Sequence, residues 1–403
     1  VANSSIGKDV VIVTGGGSGG HVTPVLAVAA ELKKRPNPPY IVYIGQKNDH
    51  WQEVPAQDPN IDAVYAVRAG KFRRYHGEGW RQILDIPTQL KNIRDMFWII
   101  IGLWQSFSLI RRLRPKVIFT RGSFVSVPVA LAGKLNDVPY ITHDSDSVPS
   151  LANRILSKWA WMHAVALPPE VYPYPPSKIR VVGVPVSHQY QMTTPRVMRH
   201  YRKLLRLEKY EQVLLVTGGG NGAQALNQLV IDNAAYLLKR YPKLAILHIS
   251  GANLVELTEA SYDQVLSEAD RPRVIVEGFV ADLYRYSGAA DVVIARGGAT
   301  NLAEFAVQGK ACVIVPSPQL GWNVKNAQVM ARHGAIIHLS EAQAEQERRL
   351  AGIVSELFDD KKRRAELAGR MHALGHPGSA AELADLLIEC IESKLQQTSR
   401  DSE

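Results

Sequence analysis

Residues 10–26 read VVIVTGGGSGGHVTPVL. The run Val10 to Val13 is short and wholly apolar, as in a strand buried on both faces. It breaks into Gly15, Gly16, Gly17, Ser18, Gly19 and Gly20, and apolar residues resume from Val25 to Leu32 at helical spacing. Strand, tight turn and helix follow in that order. Glycines at such a turn let the backbone approach a ligand closely, and unpaired amides at the head of the helix attract anions. His21, one residue past the last glycine, is the proton-transfer group of this element. The positive end of the helix favours its neutral form, which a general base needs.

Residues 212–226, QVLLVTGGGNGAQAL, repeat the element: Thr14-Gly-Gly-Gly-Ser-Gly becomes Thr217-Gly-Gly-Gly-Asn-Gly. Recurrence of a whole strand, glycine turn and helix start is far more specific than either copy alone. Around the first copy, strands are predicted at 40–45, 64–67, 116–119, 139–142 and 180–184; around the second, at 244–249, 274–276, 291–294 and 311–315. Helical patterns lie between them, so the fold class is α/β, built on mainly parallel sheets. Two nucleotide-binding-like domains facing across a cleft are expected, with ligands at the strand ends. The first spans 8–190, a polar and basic linker 191–210, and the second 211–370. Amphipathic helices are expected over 339–358 and 374–393, the second of them in a final segment 371–395 that packs back on the first domain, with 394–403 fraying.

A chain of 403 residues is too long for one ordinary core. Its 47 Lys and Arg against 38 Asp and Glu give a formal charge of +9, which fits a phosphorylated or acidic partner, an anionic membrane, or nucleic acid, and does not choose among them. Cys312 and Cys390 show neither a pairing signature nor metal-ligand spacing, and residues 1–7 lack the segments of a signal peptide, so a reduced cytosolic setting is expected. Residues 68–85 are basic and aromatic, and Met96 to Ile110 reads MFWIIIGLWQSFSLI before Arg111, Arg112 and Arg114. That apolar run is shorter than the roughly 20 residues that cross a bilayer. Two readings stand: a core crossover helix, or a helix whose Phe97, Trp98, Trp104 and Phe107 face lipid headgroups, held there by the arginines with Lys71, Arg73 and Arg74.

A glycine turn after a strand first suggests a nicotinamide enzyme, but that chemistry wants an acidic residue at the end of the second strand to hold the ribose. The first copy has Gly45, Gln46 and Lys47 there, and the second has His248 to Gly251. No GxxxxGK[ST] sequence occurs either, which argues against a P-loop ATPase. In ARGGATNLAE, residues 295–304, the Gly297-Gly298 pair and Ala299 open a helix that can receive phosphate oxygens, and Glu304 falls where a carboxylate can accept from two vicinal ribose hydroxyls. The competing role of Glu304 is a helix-start carboxylate that only favours the dipole, worth up to about 1 kcal/mol. The loop 315–323, VPSPQLGWN, offers Asn323 for sugar hydroxyls, or is a surface turn. His143, beside Asp144 and Asp146 at a strand end, suits binding more than base catalysis, and the pair of aspartates lacks the spacing of a metal site.

Taken together, GGGSGGHVTP (15–24), RGSFVSVP (121–128), HDSDSVPSLANRILSK (143–158), VVGVPV (181–186), GGGNGAQALN (218–227), RGGATNLAEFAVQGK (296–310) and NVKNA (323–327) resemble one family. It is that of the peptidoglycan glycosyltransferases, which move N-acetylglucosamine from its UDP ester to undecaprenyl-pyrophosphoryl-N-acetylmuramyl-pentapeptide, turning lipid I into lipid II. The resemblance implies two Rossmann-like domains in the glycosyltransferase B-type fold, inverting transfer without a metal or other cofactor, and a peripheral place on the cytoplasmic face of the cell membrane. It implies as partners a polyprenyl-pyrophosphate acceptor, an anionic membrane reached through residues 71–114 and cell-wall synthesis proteins, with no nucleic acid. Carried over, His21 is the catalytic base, and Thr14, Gly19, Gly20, Ser123, His143 and Asp146 serve the acceptor. Gly219, Gly220, Asn221, Gly222, Gln224, Phe279, Gly298, Ala299, Glu304 and Asn323 serve the donor, with Phe279 by the uracil and Glu304 on the ribose. The chain departs from the family pattern at Asp144-Ser145-Asp146, where Glu-Gln-Asn is common, at Ser187 and Gln224 in place of arginines, and at Trp322-Asn323 in place of Gln-Gln. The alternatives are a transferase using another UDP-sugar or lipid-linked acceptor, a nucleotide-sugar epimerase of similar fold, and a non-catalytic membrane-associated homologue.

Overall fold

The computed structural model describes residues 8–70, 86–220 and 222–400. They divide into two compact units, one made of Val1–Ser187 with Gly378–Glu403, the other of His188–Pro377.

The first unit begins with β1 (Val10–Thr14) and α1 (Gly19–Lys33), followed by β2 (Tyr40–Gln46), α2 (Glu53–Gln57) and β3 (Ala63–Val67). After α3 (Ile86–Leu113) come β4 (Val117–Thr120), α4 (Ser126–Leu135), β5 (Tyr140–Asp144), α5 (Leu151–Leu156), β6 (Met162–Val165) and β7 (Ile179–Val181). The seven strands are ordered β3-β2-β1-β4-β5-β6-β7, and each neighbouring pair is parallel. Alternation along β1 sets the two faces. Val11 and Val13 pack with Val25, Val28 and Leu32 of α1, while Val10 and Ile12 join Ile110 of α3 and Val129 and Ala132 of α4.

The second unit opens with α6 (Pro195–Leu204), capped by Thr194, whose hydroxyl accepts from the Val197 amide. Residues 191–210, expected as a linker, therefore belong to this unit, because Tyr201, Leu207 and Tyr210 bury themselves in its core. Then follow β8 (Gln212–Thr217), α7 (Gln224–Arg240), β9 (Leu244–Ile249), α8 (Val255–Val265), β10 (Val274–Glu277) and α9 (Leu283–Ala289). Next come β11 (Val292–Ala295), α10 (Ala299–Gln308), β12 (Ala311–Ile314), α11 (Gly321–Arg332), β13 (Ile337–His338), α12 (Glu341–Ala344), α13 (Arg349–Asp359) and α14 (Lys361–His372). The sheet order is β10-β9-β8-β11-β12-β13, again parallel throughout. The single helix predicted over 339–358 is two, since Arg348 adopts a left-handed backbone with φ of 57°.

The chain then returns to the first unit as α15 (Ser379–Arg400). It starts later than predicted, and the helix continues to Arg400 where fraying was expected. Leu383, Leu387 and Ile391, spaced by four, cover the same sheet face as α1.

Candidate active site

At the carboxyl end of β1 the chain turns through Gly16 and Gly17, with φ of 145° and 78°, before α1 begins at Gly19. Both angles lie where a side chain is strained. The turn is held from outside: the Gly17 amide donates to Asp49 Oδ2 at 2.7 Å, and the Trp51 ring lies so close to Gly19 that a Cβ there would stand 2.9 Å from it. Thr14 is fully buried and its hydroxyl lacks a hydrogen-bond partner.

His21 lies in the first turn of α1, where its amide donates to the Ser18 carbonyl at 3.1 Å. Its ring is hydrogen-bonded to the main chain of Arg121, and Nδ1 has no partner. The ring N–H therefore goes to the Arg121 carbonyl, leaving the Nδ1 lone pair unclaimed by the protein. Burial and then the Arg121 guanidinium bring the imidazole down to about 4, so it is neutral at physiological pH. The sequence attributed that neutrality to the helix end, whereas desolvation and an arginine supply it.

Arg121 escaped the sequence reading. It follows β4 and is 4% exposed, with its guanidinium donating to the Gly20 carbonyl at 2.8 Å, to His143 Nδ1 at 2.5 Å and to Ser145 Oγ. His143 in turn donates from Nε2 to the Gly183 carbonyl at 2.8 Å. Both ring nitrogens of His143 are thus engaged within the protein, which makes it a bracket for Arg121. Asp146 and Asp144 place negative charge near the guanidinium, and Asp144 accepts from the Tyr174 hydroxyl at 2.7 Å. Ser123 is buried in the same β4–α4 loop, its hydroxyl 3.2 Å from that of Ser126.

In the second unit Gly219 and Gly222 adopt φ of 85° and 73°, and the Gly222 amide closes the turn onto the Gly219 carbonyl at 2.9 Å. Gly220 belongs to this turn, Asn221 lies outside the described residues, and Gln224 starts α7 exposed. Gly222 is pressed against the Ser250 main chain, which Asn227 of α7 fixes by donating to the Ser250 carbonyl at 3.0 Å. His248 supports Asn227 at 3.1 Å and Tyr262 lies 2.8 Å from its other ring nitrogen, so a buried polar chain braces the turn from beneath. Phe279, after β10, is 38% exposed.

Gly298 caps α10 and Ala299 begins it; a Cβ at Gly298 would meet nothing within 4 Å, so the helix head has an open approach. Glu304 sits in the second turn, buried, accepting from Asn301 Nδ2 at 2.9 Å and from the Tyr190 hydroxyl. Burial pushes the carboxyl up to about 7 against those two hydrogen bonds. Asn301 links the carboxylate to the glycine turn, since its Oδ1 stands 3.6 Å from where a Gly219 Cβ would be. Asn323, in the first turn of α11, is buried with its carbonyl against Gly297, while Trp322 before it is 40% exposed. The structure therefore gathers Gly219, Asn301, Glu304 and Tyr190 in one unit, and Thr14, Gly19, Gly20, His21, Arg121 and His143 in the other. Among the described residues no group of three or more His, Cys, Asp or Glu stands together as a metal site.

These paired turns have a match in known proteins. Residues 11–164 fit the N-terminal domain model of glycosyltransferase family 28, and residues 213–383 fit its C-terminal domain model. The chain belongs to glycosyltransferase family 28. Among its relatives, the UDP-N-acetylglucosamine--N-acetylmuramyl-(pentapeptide) pyrophosphoryl-undecaprenol N-acetylglucosamine transferase of Natranaerobius thermophilus is 28% identical over 384 residues, covering 94% of this chain and 100% of that protein. The protein of the same name from Treponema pallidum is 29% identical and covers 94% of each chain. The crystal structure of Acinetobacter baumannii MurG superposes with a TM-score of 0.65 at 22% identity, covering 94% of this chain and 99% of that one. A UDP-GlcNAc 2-epimerase from Neisseria meningitidis shares the fold at 12% identity, with a TM-score of 0.63, over 94% of this chain and 100% of its own. The family 28 chain thus has a glycosyltransferase B-like fold, which it shares with proteins of other activities.

Proposed function

We propose that this family 28 enzyme transfers N-acetylglucosamine from UDP-N-acetylglucosamine to undecaprenyl-pyrophosphoryl-N-acetylmuramyl-pentapeptide, with inversion and without a metal. The observation that carries the reading is collinear kinship: relatives named for this reaction match 94% of the chain. The acceptor hydroxyl attacks the anomeric carbon, its proton passes to His21, and the bond from that carbon to the UDP phosphate breaks with its electron pair on phosphate. Direct displacement turns an α donor into a β product. Amides at the heads of α7 and α10 face the developing phosphate charge, a preorganised field that acts more strongly in a desolvated site than in water. Glu304 accepts from the ribose hydroxyls in place of Tyr190, and Phe279 lies by the base.

The first unit meets the membrane through α3. Its segment Asn92–Leu113 is long and apolar enough to span a bilayer by composition, but one side is packed into the core through Ser106, Leu109 and Ile110. Ile93, Phe97, Ile100 and Trp104 form an outward stripe at helical spacing, 56–72% exposed, and Arg111 continues it. Such a face lies in the headgroup layer, with its arginines on anionic lipid. Lys71, Arg73 and Arg74, expected to assist, lie outside the described residues.

The test is a purified enzyme with labelled UDP-sugars and a short-chain lipid I analogue, the product weighed by mass spectrometry. A product heavier by one N-acetylhexosamine supports the reading. Epimerised donor without acceptor, or no UDP binding, overturns it. Exposed Trp322 at the head of α11 favours one variation, a different UDP-sugar, which competition among donors in the same assay detects.

A further inference from the structure

Arg121 occupies a position from which it holds both sides of one peptide. Its guanidinium grips the Gly20 carbonyl at 2.8 Å, and its own main chain takes the hydrogen bond of the His21 ring, the next residue along. The guanidinium cannot swing away, because His143 Nδ1 and Ser145 Oγ accept from it, and His143 is itself tied to Gly183. A buried arginine needs such a set of acceptors, since an unpaired charge there is strongly destabilising. We infer that Arg121 is a positioning residue for His21, fixing the imidazole with one nitrogen on the Arg121 carbonyl and its other lone pair free. The guanidinium charge beside the ring also disfavours the protonated imidazole. This deepens the proposed function, on which it rests for the role of His21 as base.

The groups around the imidazole leave that role to Arg121. Across the glycine turn, on the β2 side, are the Tyr43 hydroxyl, 3.6 Å from a Gly15 Cβ position, and Asp49, which is committed to the Gly17 amide. On the β5 side, His143, Asp144 and Asp146 sit around the guanidinium. Arg121, on the β4–α4 loop, is the charged group that acts on the ring.

The experiment is an NMR titration of the His21 ring in the full chain, its resonance assigned with His21→Gln, in the parent, Arg121→Met and Arg121→Lys. Loss of the charge in Arg121→Met is expected to raise the His21 midpoint by about one pH unit or more, and Arg121→Lys to restore it toward the parent value. At saturating donor, the acid limb of the kcat profile of Arg121→Met moves up by the same amount as the His21 midpoint, while UDP affinity is unchanged. An unmoved His21 midpoint in a folded Arg121→Met protein overturns the inference. If that variant fails to fold by circular dichroism, Arg121→Gln, which keeps a donor for the Gly20 carbonyl, takes its place with the same two outcomes. Full turnover in His21→Ala would instead overturn the base assignment, and the titration would still decide whether Arg121 governs the ring.

Discussion

A residue is assigned chemistry here by what its neighbours leave undone. His21 keeps an Nδ1 without a partner, whereas His143, equally prominent in sequence, has both nitrogens engaged. His21→Ala should therefore lower kcat by about 10²–10⁴-fold, with UDP affinity by calorimetry unaltered; an unchanged kcat removes it as the base. Glu304 titrates near 7 and is protonated more readily in the folded chain than in the unfolded one. A protonated carboxyl is the poorer acceptor for ribose hydroxyls, so UDP affinity should rise about tenfold from pH 6 to pH 8, and Glu304→Gln should flatten that slope. Stability of the ligand-free chain runs the other way: the contribution from Glu304 is fully present below its unfolded value of 4.5 and is lost as pH rises through about 7. Denaturant titrations of parent and Glu304→Gln across that range should differ in slope with this sign. Arg121, Asp49 and Tyr190 were not legible beforehand, because each acts on a residue that only the fold brings near; Asn301, three residues before Glu304 on one helix, was overlooked although its contact is local.

At the scale of elements, the two strand, glycine turn and helix units were readable because glycine and apolar spacing are local properties. What they look like in place is less uniform. The first turn is closed by Asp49 on its Gly17 amide; the second is braced from below by Asn227 and His248, and the α10 head beside it is open at Gly298. Gly298 has a φ of −70°, which any residue adopts, so Gly298→Val should fold normally yet weaken UDP binding at least about tenfold if phosphate lies against it. Equal affinity for variant and parent would move the phosphate elsewhere. Helix α3 carries its own prediction. Burying Trp104 or Phe97 in the headgroup layer is worth roughly 1.5–3 kcal/mol each and an arginine near anionic lipid about 1 kcal/mol. Trp104→Ser with Arg111→Glu should abolish sedimentation with anionic vesicles and leave turnover on a soluble acceptor intact. On α3 Leu109 and Ile110 are core while Phe97 and Trp104 are outward, and Phe107, expected to face lipid, packs against the core instead.

The whole molecule is two α/β units, with the chain's end returned to the first. Removing residues 379–403 uncovers the sheet face that Leu383, Leu387 and Ile391 cover, a loss of several kcal/mol at roughly 1.5–3 kcal/mol per side chain. Hydrogen exchange should then show lost protection in β1, β2 and β4, with the second unit and its UDP affinity retained; uniform loss in both units would contradict the division. The sequence by itself determined the α/β class, the duplication and the glycine turns, because short-range periodicity and backbone freedom specify them, but it left β6 and β13 unmarked. It also marked His21 and Glu304, each a reactive side chain next to a glycine turn. Tertiary structure alone decided that 191–210 is part of a core, that α15 joins the first sheet, and that Arg121 stands over His21. Those outcomes depend on burial and on hydrogen bonds between residues a hundred or more positions apart, such as Arg121 and Gly20 or Ser379 and Val184, and no local pattern encodes them.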